Sequence, residues 1–333
     1  MQDHYGHRIS YLRVSITDRC NERCSYCMPQ ELQEWLPRHE ILTYEETLRL
    51  IRIAAELGVS KVRITGGEPL TRRGIVDFVR QVPEIPGMTS IGLSTNGTLL
   101  AREISPGNRM AEALRYAGVQ SVNISLDTLD GAVYSQITGR DFHAQVIDGI
   151  DAAIAAGFDQ IKLNAVLMRG RNEDQLLPLI EFAAARNLLL RFIELMPVST
   201  TEVLSESNFM SVMEAKRLVE SAYGNLIPET EFRTNGPATY YQIPGRAQRV
   251  GFIGAMTNMH FCENCNKLRL TCDGKLRPCL GSYLEFDITG PLRAGASDEQ
   301  LKQFFLNVVD RKPREHDFRN NYQPNRKMIA IGG

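Results

Sequence analysis

The stretch Tyr11-Leu12-Arg13-Val14-Ser15-Ile16-Thr17-Asp18-Arg19-Cys20-Asn21-Glu22-Arg23-Cys24-Ser25-Tyr26-Cys27-Met28-Pro29 carries two signals in succession. Its first seven residues alternate Leu12, Val14 and Ile16 with Arg13, Ser15 and Thr17, the period of two expected of a strand. That strand runs into a loop whose thiols follow a C-x3-C-x2-C pattern. Short spacings of this kind hold iron–sulfur clusters, and three thiolates on a four-iron cube leave one iron open to a small molecule. The competing readings are a zinc knuckle or a set of buried thiols. Zinc sites, however, favour four protein ligands and C-x2-C pairs, and buried cysteines have no reason to crowd into one loop.

Outward from this loop, one phrase recurs. Thr43-x-x-Glu46 reads as a capping box opening a helix through Leu57, Gly58 ends it, and Lys61 to Thr65 reads as a strand. The same order of helix end, glycine and strand returns at Gly118 before Ser121 to Leu126, and at Gly157 before Gln160 to Val166. A repeated helix-to-strand unit means a parallel sheet. With less regular strands at Ser90 to Ser94 and Leu188 to Leu195, six strands fall in the first ~200 residues, where a full eight-fold barrel takes about 250. The sequence therefore predicts an α/β fold, an incomplete (β/α)6 TIM-like barrel over residues 1–200. Its functional loops are expected at the carboxyl ends of the strands.

Residues 201–333 read differently and predict a smaller C-terminal α+β domain that covers the open side of the barrel. A helix from Asn208 to Tyr223 leads to strands at Thr239 to Ile243 and Arg249 to Ile253 around Pro244-Gly245. A hairpin follows from Leu268 to Leu280 around Asp273-Gly274, and Ser297-x-x-Gln300 caps a helix to about Asp310.

Composition narrows the function classes. Hydrophobic residues make up 43% of the 333 and charged residues 23%, with a formal net charge of −1. This balance gives no reason to expect nonspecific binding to nucleic acid or an anionic membrane. The absence of a signal-like stretch or a membrane-length apolar run points to the cytoplasm. Seven cysteines in that reducing setting argue for metal or redox chemistry. They fall as Cys20, Cys24 and Cys27, then Cys262, Cys265, Cys272 and Cys279.

Strands covered on both faces should be nearly continuous apolar runs, yet Arg13, Lys61, Arg63, Lys162 and Arg191 interrupt theirs. Unpaired burial of such charges costs several kcal/mol each, roughly. Either Asp127, Glu194 or other carboxylates pair with them, or an anion shares the cavity. Cations from several strands at one mouth suit phosphates.

The second set, C-x2-C-x13-C over Cys262, Cys265 and Cys279, is ambiguous alone, since zinc completed by His260 or Cys272 is a sound competitor. With Asp273-Gly274 as a two-residue turn, Cys272 pairs with Lys275 and Leu268 stands opposite Cys279. Cys279 then returns beside Cys265, and Cys272 lies about 14 Å too far along the hairpin to join the same cube.

The first cysteine pattern, with Tyr26 before its last thiol, and Gly66-Gly67-Glu68-Pro69 resemble the radical S-adenosylmethionine (SAM) superfamily. The resemblance implies a [4Fe–4S] cluster on Cys20, Cys24 and Cys27 and SAM on its open iron. Tyr26, Gly67, Glu68, Ser125 and Met196 would hold SAM. Leu12 to Cys20, Arg63 to Leu70, Val122 to Asp127, Arg191 to Pro197, the second cysteine set and Gly332-Gly333 together resemble the GTP 3′,8-cyclase family of molybdenum cofactor biosynthesis.

This closer resemblance implies a second [4Fe–4S] cluster on Cys262, Cys265 and Cys279, facing the guanine of GTP. Arg13, Arg63, Thr95, Lys162, Arg191, Lys267, Leu268 and Arg269 would hold the nucleotide. The implied reaction is radical cyclisation of GTP to 3′,8-cyclo-7,8-dihydro-GTP, with no acid–base residue required. A flavodoxin- or ferredoxin-like electron donor and a downstream cyclic pyranopterin monophosphate synthase are the implied partners, and a homodimer is left open. Two departures stand out: Lys267 where the family commonly has arginine, and extra length at Ile104 to Arg109. The alternatives are a peptide-modifying radical SAM enzyme with an auxiliary cluster and a zinc-stabilised binding module.

Overall fold

A computed structural model describes every residue except 29–33, 200–203, 321, 323 and 333. In chain order its strands are β1 (Tyr11–Ser15), β2 (Lys61–Thr65), β3 (Ser90–Thr95), β4 (Glu103–Ser105), β5 (Asn108–Arg109), β6 (Ser121–Ser125), β7 (Gln160–Leu167) and β8 (Leu189–Glu194). Then come β9 (Ile227–Pro228), β10 (Thr239–Gln242), β11 (Arg249–Ile253), β12 (Lys267–Leu270), β13 (Lys275–Arg277) and β14 (Phe286–Asp287). Strands β1, β2, β3, β6, β7 and β8 lie side by side and parallel, each joined to the next through at least one helix. This is the six-stranded partial barrel that the repeated helix–glycine–strand phrase predicts.

The C-terminal stretch does more than cover an opening. Strand β12 adds parallel to β1 and β11 adds parallel to β8, so late sequence extends both edges of the same sheet. Antiparallel strands β13 and β14 continue one flank and β10 and β9 the other, giving twelve strands in one sheet. Strand edges left by an incomplete barrel are thereby paired, which removes exposed ladders of backbone donors and acceptors. The boundary expected between 200 and 201 lies outside the described residues.

Local chemistry explains the elements that frame the site. Thr43 and Glu46 form the capping box of the helix Tyr44–Glu56, and Ser297 and Gln300 do the same for Asp298–Asp310. The helix after β8 starts later than the sequence predicts, at Val212, because Ser211 is its cap. Strands β4 and β5 form a small exposed hairpin over the stretch 104–109, where extra length is expected.

One register differs from expectation. Arg269 faces Arg277 and Leu270 faces Leu276, and the Thr271 N–H donates to the Lys275 carbonyl. The loop is thus three residues, Cys272-Asp273-Gly274, with Gly274 at φ +72°. A three-residue loop ending in a left-handed glycine is a favoured hairpin closure. It shifts the pairing by one residue from the two-residue turn, so the continued register sets Lys267, not Leu268, against Cys279.

Candidate active site

The cysteine loop is held from four directions. The Gly67 N–H donates to the Thr17 carbonyl and the Glu68 N–H to the Arg19 carbonyl, each at 2.8 Å. The Arg23 and Ser25 N–H groups donate to the Thr138 and Ile137 carbonyls, and Asn96 Nδ2 donates to Asn21 Oδ1. Ser199 Oγ closes the far side on the Cys27 carbonyl at 3.0 Å. Close approach explains Gly67: a Cβ there would lie 2.5 Å from the Arg19 oxygen, closer than atoms pack.

Beneath the loop a cavity of about 890 Å³ runs through the barrel, lined by Cys20, Cys24 and Cys27 and also by Cys262, Cys265 and Cys279. The first trio follows the end of β1, whereas in the second set Cys262 and Cys265 precede β12 and Cys279 follows β13; the first residue of β12, Lys267, pairs with Tyr11 at the start of β1. The two thiol sets therefore stand at opposite ends of a five-residue strand, which spans roughly 16 Å. The first set lies at a carboxyl end, where the barrel's own loops are expected, and the second, which belongs to the C-terminal stretch, lies at the other end of β1. Its place depends on β12 pairing with β1, a contact no local pattern announces. Cys272 is fully buried and lies outside the cavity wall.

Arg13, Lys61, Arg63, Lys162, Arg191, Lys267 and Arg269 line the space between the two sets. Among the described residues, Arg63, Arg191, Lys61, Arg269 and Lys267 donate to neutral groups. Arg63 donates to the Tyr11 hydroxyl at 2.7 Å, the Leu93 carbonyl at 2.6 Å and Ser121 Oγ at 2.9 Å. Arg191 clasps Asn164 Oδ1, Lys61 reaches Asn235 Oδ1, and Arg269 donates to the Gly332 carbonyl. Lys267 donates to Asn266 Oδ1 and lies over the Tyr11 ring. The carboxylates that could have matched them are engaged elsewhere. Asp127 accepts from Tyr26 and the Val166 N–H, and Glu194 accepts from Val212, Met256 and Thr257. Lys162 is 3% exposed. Burial, then Arg191 and Arg63, push its ammonium down to about 6.

Other expected ligand residues are placed as follows. Tyr26, Gly67, Ser125 and Met196 line the cavity. Glu68 does not. Its buried carboxylate accepts from the Leu70 N–H, the Asn96 N–H and the Thr95 hydroxyl, tying the ends of β2 and β3 together. The Thr95 hydroxyl, expected on the nucleotide, is thus committed to Glu68. The Leu268 side chain is 1% exposed in the apolar core, because strand alternation turns Lys267 and Arg269 inward and Leu268 away, so of this residue only the backbone faces the same way as the expected ligand. Of the Gly332-Gly333 pair, Gly333 lies outside the described residues.

Sequence reading passed over Tyr11, Asn123, Asn164 and the cavity-lining residues from Pro228 to Thr239. Asn123 and Asn164 interrupt apolar strands just as the cations do, so the same alternation could have found them. Asn123 Oδ1 is buried with no partner among the described residues, an acceptor available to a ligand. Nothing in the 228–239 stretch signals its place.

Among the described residues no three His, Cys, Asp or Glu side chains gather about a single ion-sized point. No helix among the described residues is long and apolar enough to cross a membrane.

Comparison with known proteins agrees with this geometry. Residues 14–183 match the Radical SAM superfamily model and 188–318 the Molybdenum Cofactor Synthesis C model. The chain is 45% identical to the GTP 3′,8-cyclase of Moorella thermoacetica and 42% identical to that of Pelotomaculum thermopropionicum, each over the full length of both chains. In structure it is similar to Streptococcus suis SuiB bound to precursor peptide SuiA, with a TM-score of 0.63 at 16% identity, covering 98% of this chain and 76% of that one. Native anSMEcpe with bound AdoMet gives 0.59 at 13%, covering 92% and 82%. At such identities these two attest the fold alone. Membership of the superfamily implies an iron–sulfur cluster and SAM. By sequence along its whole length, the chain belongs to the GTP 3′,8-cyclase family of radical SAM enzymes.

Proposed function

We propose that this chain converts GTP to 3′,8-cyclo-7,8-dihydro-GTP, an early step of molybdenum cofactor biosynthesis. The observation that carries the reading is the passage between two thiol sets, where Arg63 and Arg191 among the lining cations donate to neutral groups and so suit an anionic ligand. Cys20, Cys24 and Cys27 would hold one [4Fe–4S] cluster, and Cys262, Cys265 and Cys279 a second. When bound, the first cluster and SAM supply a 5′-deoxyadenosyl radical for hydrogen abstraction.

The protein's own residues bind, orient and shield. Arg13, Arg63, Lys162, Arg191, Lys267 and Arg269 would take the triphosphate and ribose, arginine in bidentate fashion and lysine as a point charge. Tyr26, the backbone of Gly67, Ser125 and Met196 would border SAM. The second cysteine set, at the far end of β1, would face the guanine. Holding both reactants in one cavity supplies near-attack geometry. A flavodoxin- or ferredoxin-like protein would supply the electron, and a cyclic pyranopterin monophosphate synthase would take the product. Residues 1–200 would form the barrel unit and 201–333 the unit carrying the second cluster.

The test is anaerobic turnover of reconstituted protein with GTP, SAM and a one-electron reductant. Formation of 3′,8-cyclo-7,8-dihydro-GTP with 5′-deoxyadenosine is expected. SAM cleavage without any GTP-derived product would overturn the substrate assignment.

A further inference from the structure

Lys312 has no part in the cavity wall, yet it is only 5% exposed. It follows the helix Asp298–Asp310 and its cap Arg311. Its ammonium donates to two backbone carbonyls, Lys267 at 3.2 Å and Pro278 in a short contact. These carbonyls belong to the two arms of the second cysteine set, one two residues after Cys265, the other immediately before Cys279. The β12–β13 ladder ends at Arg269 opposite Arg277. Beyond it Pro278 has no N–H to offer. The lysine bridges the arms where the ladder stops. Its charge is also felt at all three thiols, Cys262, Cys265 and Cys279.

We propose that Lys312 is the positioning residue of the second cluster: it braces the Cys265 and Cys279 arms at the spacing a cube requires, and sets a positive charge beside the bound thiolates. This rests on the reading that these cysteines hold a cluster. Cluster potentials depend on net charge and on hydrogen bonds to the sulfurs, so a cation here makes the second cluster easier to reduce. The charged side chains felt at the first trio's thiols are instead carboxylates, Glu22 at all three with Glu68 at Cys20 and Asp127 at Cys24.

The test uses the full-length holoenzyme with Lys312→Gln, which can still donate to the carbonyls without charge, and Lys312→Met, which cannot. Iron and sulfide per chain report the brace, and an electron paramagnetic resonance redox titration reports the charge. The second cluster's signal is the component missing from Cys279→Ser. Lys312→Met is expected to lose up to about half the iron, one cluster of two, with SAM cleavage in the absence of GTP retained. Lys312→Gln is expected to keep the iron while the second signal moves to a more negative midpoint. Full iron in the methionine variant removes the brace, and an unchanged midpoint in the glutamine variant removes the charge effect. If the methionine variant does not fold, iron retention in Lys312→Gln with that negative shift supports the proposal, and iron loss there overturns the claim that hydrogen bonds alone brace the arms. Wild-type protein with a single cluster would instead overturn the ligand reading on which the proposal stands.

Discussion

The hydroxyl of Thr95 donates to the carboxylate of Glu68, 2.9 Å from each of its oxygens. Two residues expected on two different ligands are thus bonded to one another, across the ends of neighbouring parallel strands. Their joint role is to fix the loop after β2, which in turn carries the backbone bonds to the cysteine loop. Thr95→Val should lower unfolding free energy by about 1–3 kcal/mol, the cost of leaving a buried acceptor short of a donor. Denaturant unfolding of the apoprotein measures this, and GTP affinity should change far less than it does in Lys162→Ala.

Gly67→Ala should damage the first cluster selectively. The added methyl would meet the Arg19 and Asp18 backbone at 2.5 to 2.8 Å, displacing the loop just before Cys20. We expect iron per chain to fall by about half, one cluster of two, with loss of SAM cleavage. Full iron with normal SAM cleavage in this variant would mean that the loop adapts.

GTP binding should take up a proton through Lys162. Its ammonium is pushed down to about 6, first by burial and then by Arg191 and Arg63, so near pH 8 the free protein holds it mostly neutral. A triphosphate beside it favours the charged form. Calorimetry at pH 8, where the phosphates are already ionised, in buffers of different ionisation enthalpy should show uptake that Lys162→Met abolishes. The same shift makes the ligand-free fold gain stability as pH rises from about 6 towards the ordinary lysine range, because the unfolded chain binds the extra proton there.

Lys162→Ala and Arg63→Ala should part company in stability. Both should weaken GTP binding by roughly 10- to 150-fold, the loss of one charge-assisted hydrogen bond at about 1.5–3 kcal/mol. Only Arg63→Ala also removes bonds to Tyr11, Leu93 and Ser121. Thermal unfolding should therefore drop clearly for Arg63→Ala alone, with iron content unchanged in both.

Cys279→Ser should lose about one cluster's worth of iron and Cys272→Ser none. The Cys272 thiol is buried outside the cavity, near Ser15 and Asp273. Iron analysis of the two variants decides between them, and the reverse pattern would reassign the ligand.

Legibility followed distance along the chain. Strands β2 and β11 fall on the residues that alternation and flanking glycines predict, Lys61–Thr65 and Arg249–Ile253, because period and turn chemistry are local. The cations were visible as breaks in apolar strands for the same reason. The hairpin register was not, since Asp273-Gly274 suits a two-residue turn and the end of a three-residue loop alike. Pairing of β12 with β1 left no trace in either segment alone, and with it went the position of the second cysteine set. Thr95 and Glu68 were read for their chemistry, but which neighbour a buried side chain meets is decided by packing.

Asn266 and Ser10, which bond at the join of β12 to β1, are 256 positions apart in the chain. Contacts of such separation form slowly, because the intervening loop must close before they contribute. On the ribosome the six barrel strands emerge with both outer edges bare, and the segments that cap those edges are among the last to be made. Until then the strand edges are open to other chains, and one wall of the passage, with its three later cysteines, does not exist. On the proposed reading, a cluster at the second cysteine set would therefore be loaded only after residue 279 has been made, and demand for chaperoning should be greatest in chains stalled before residue 267.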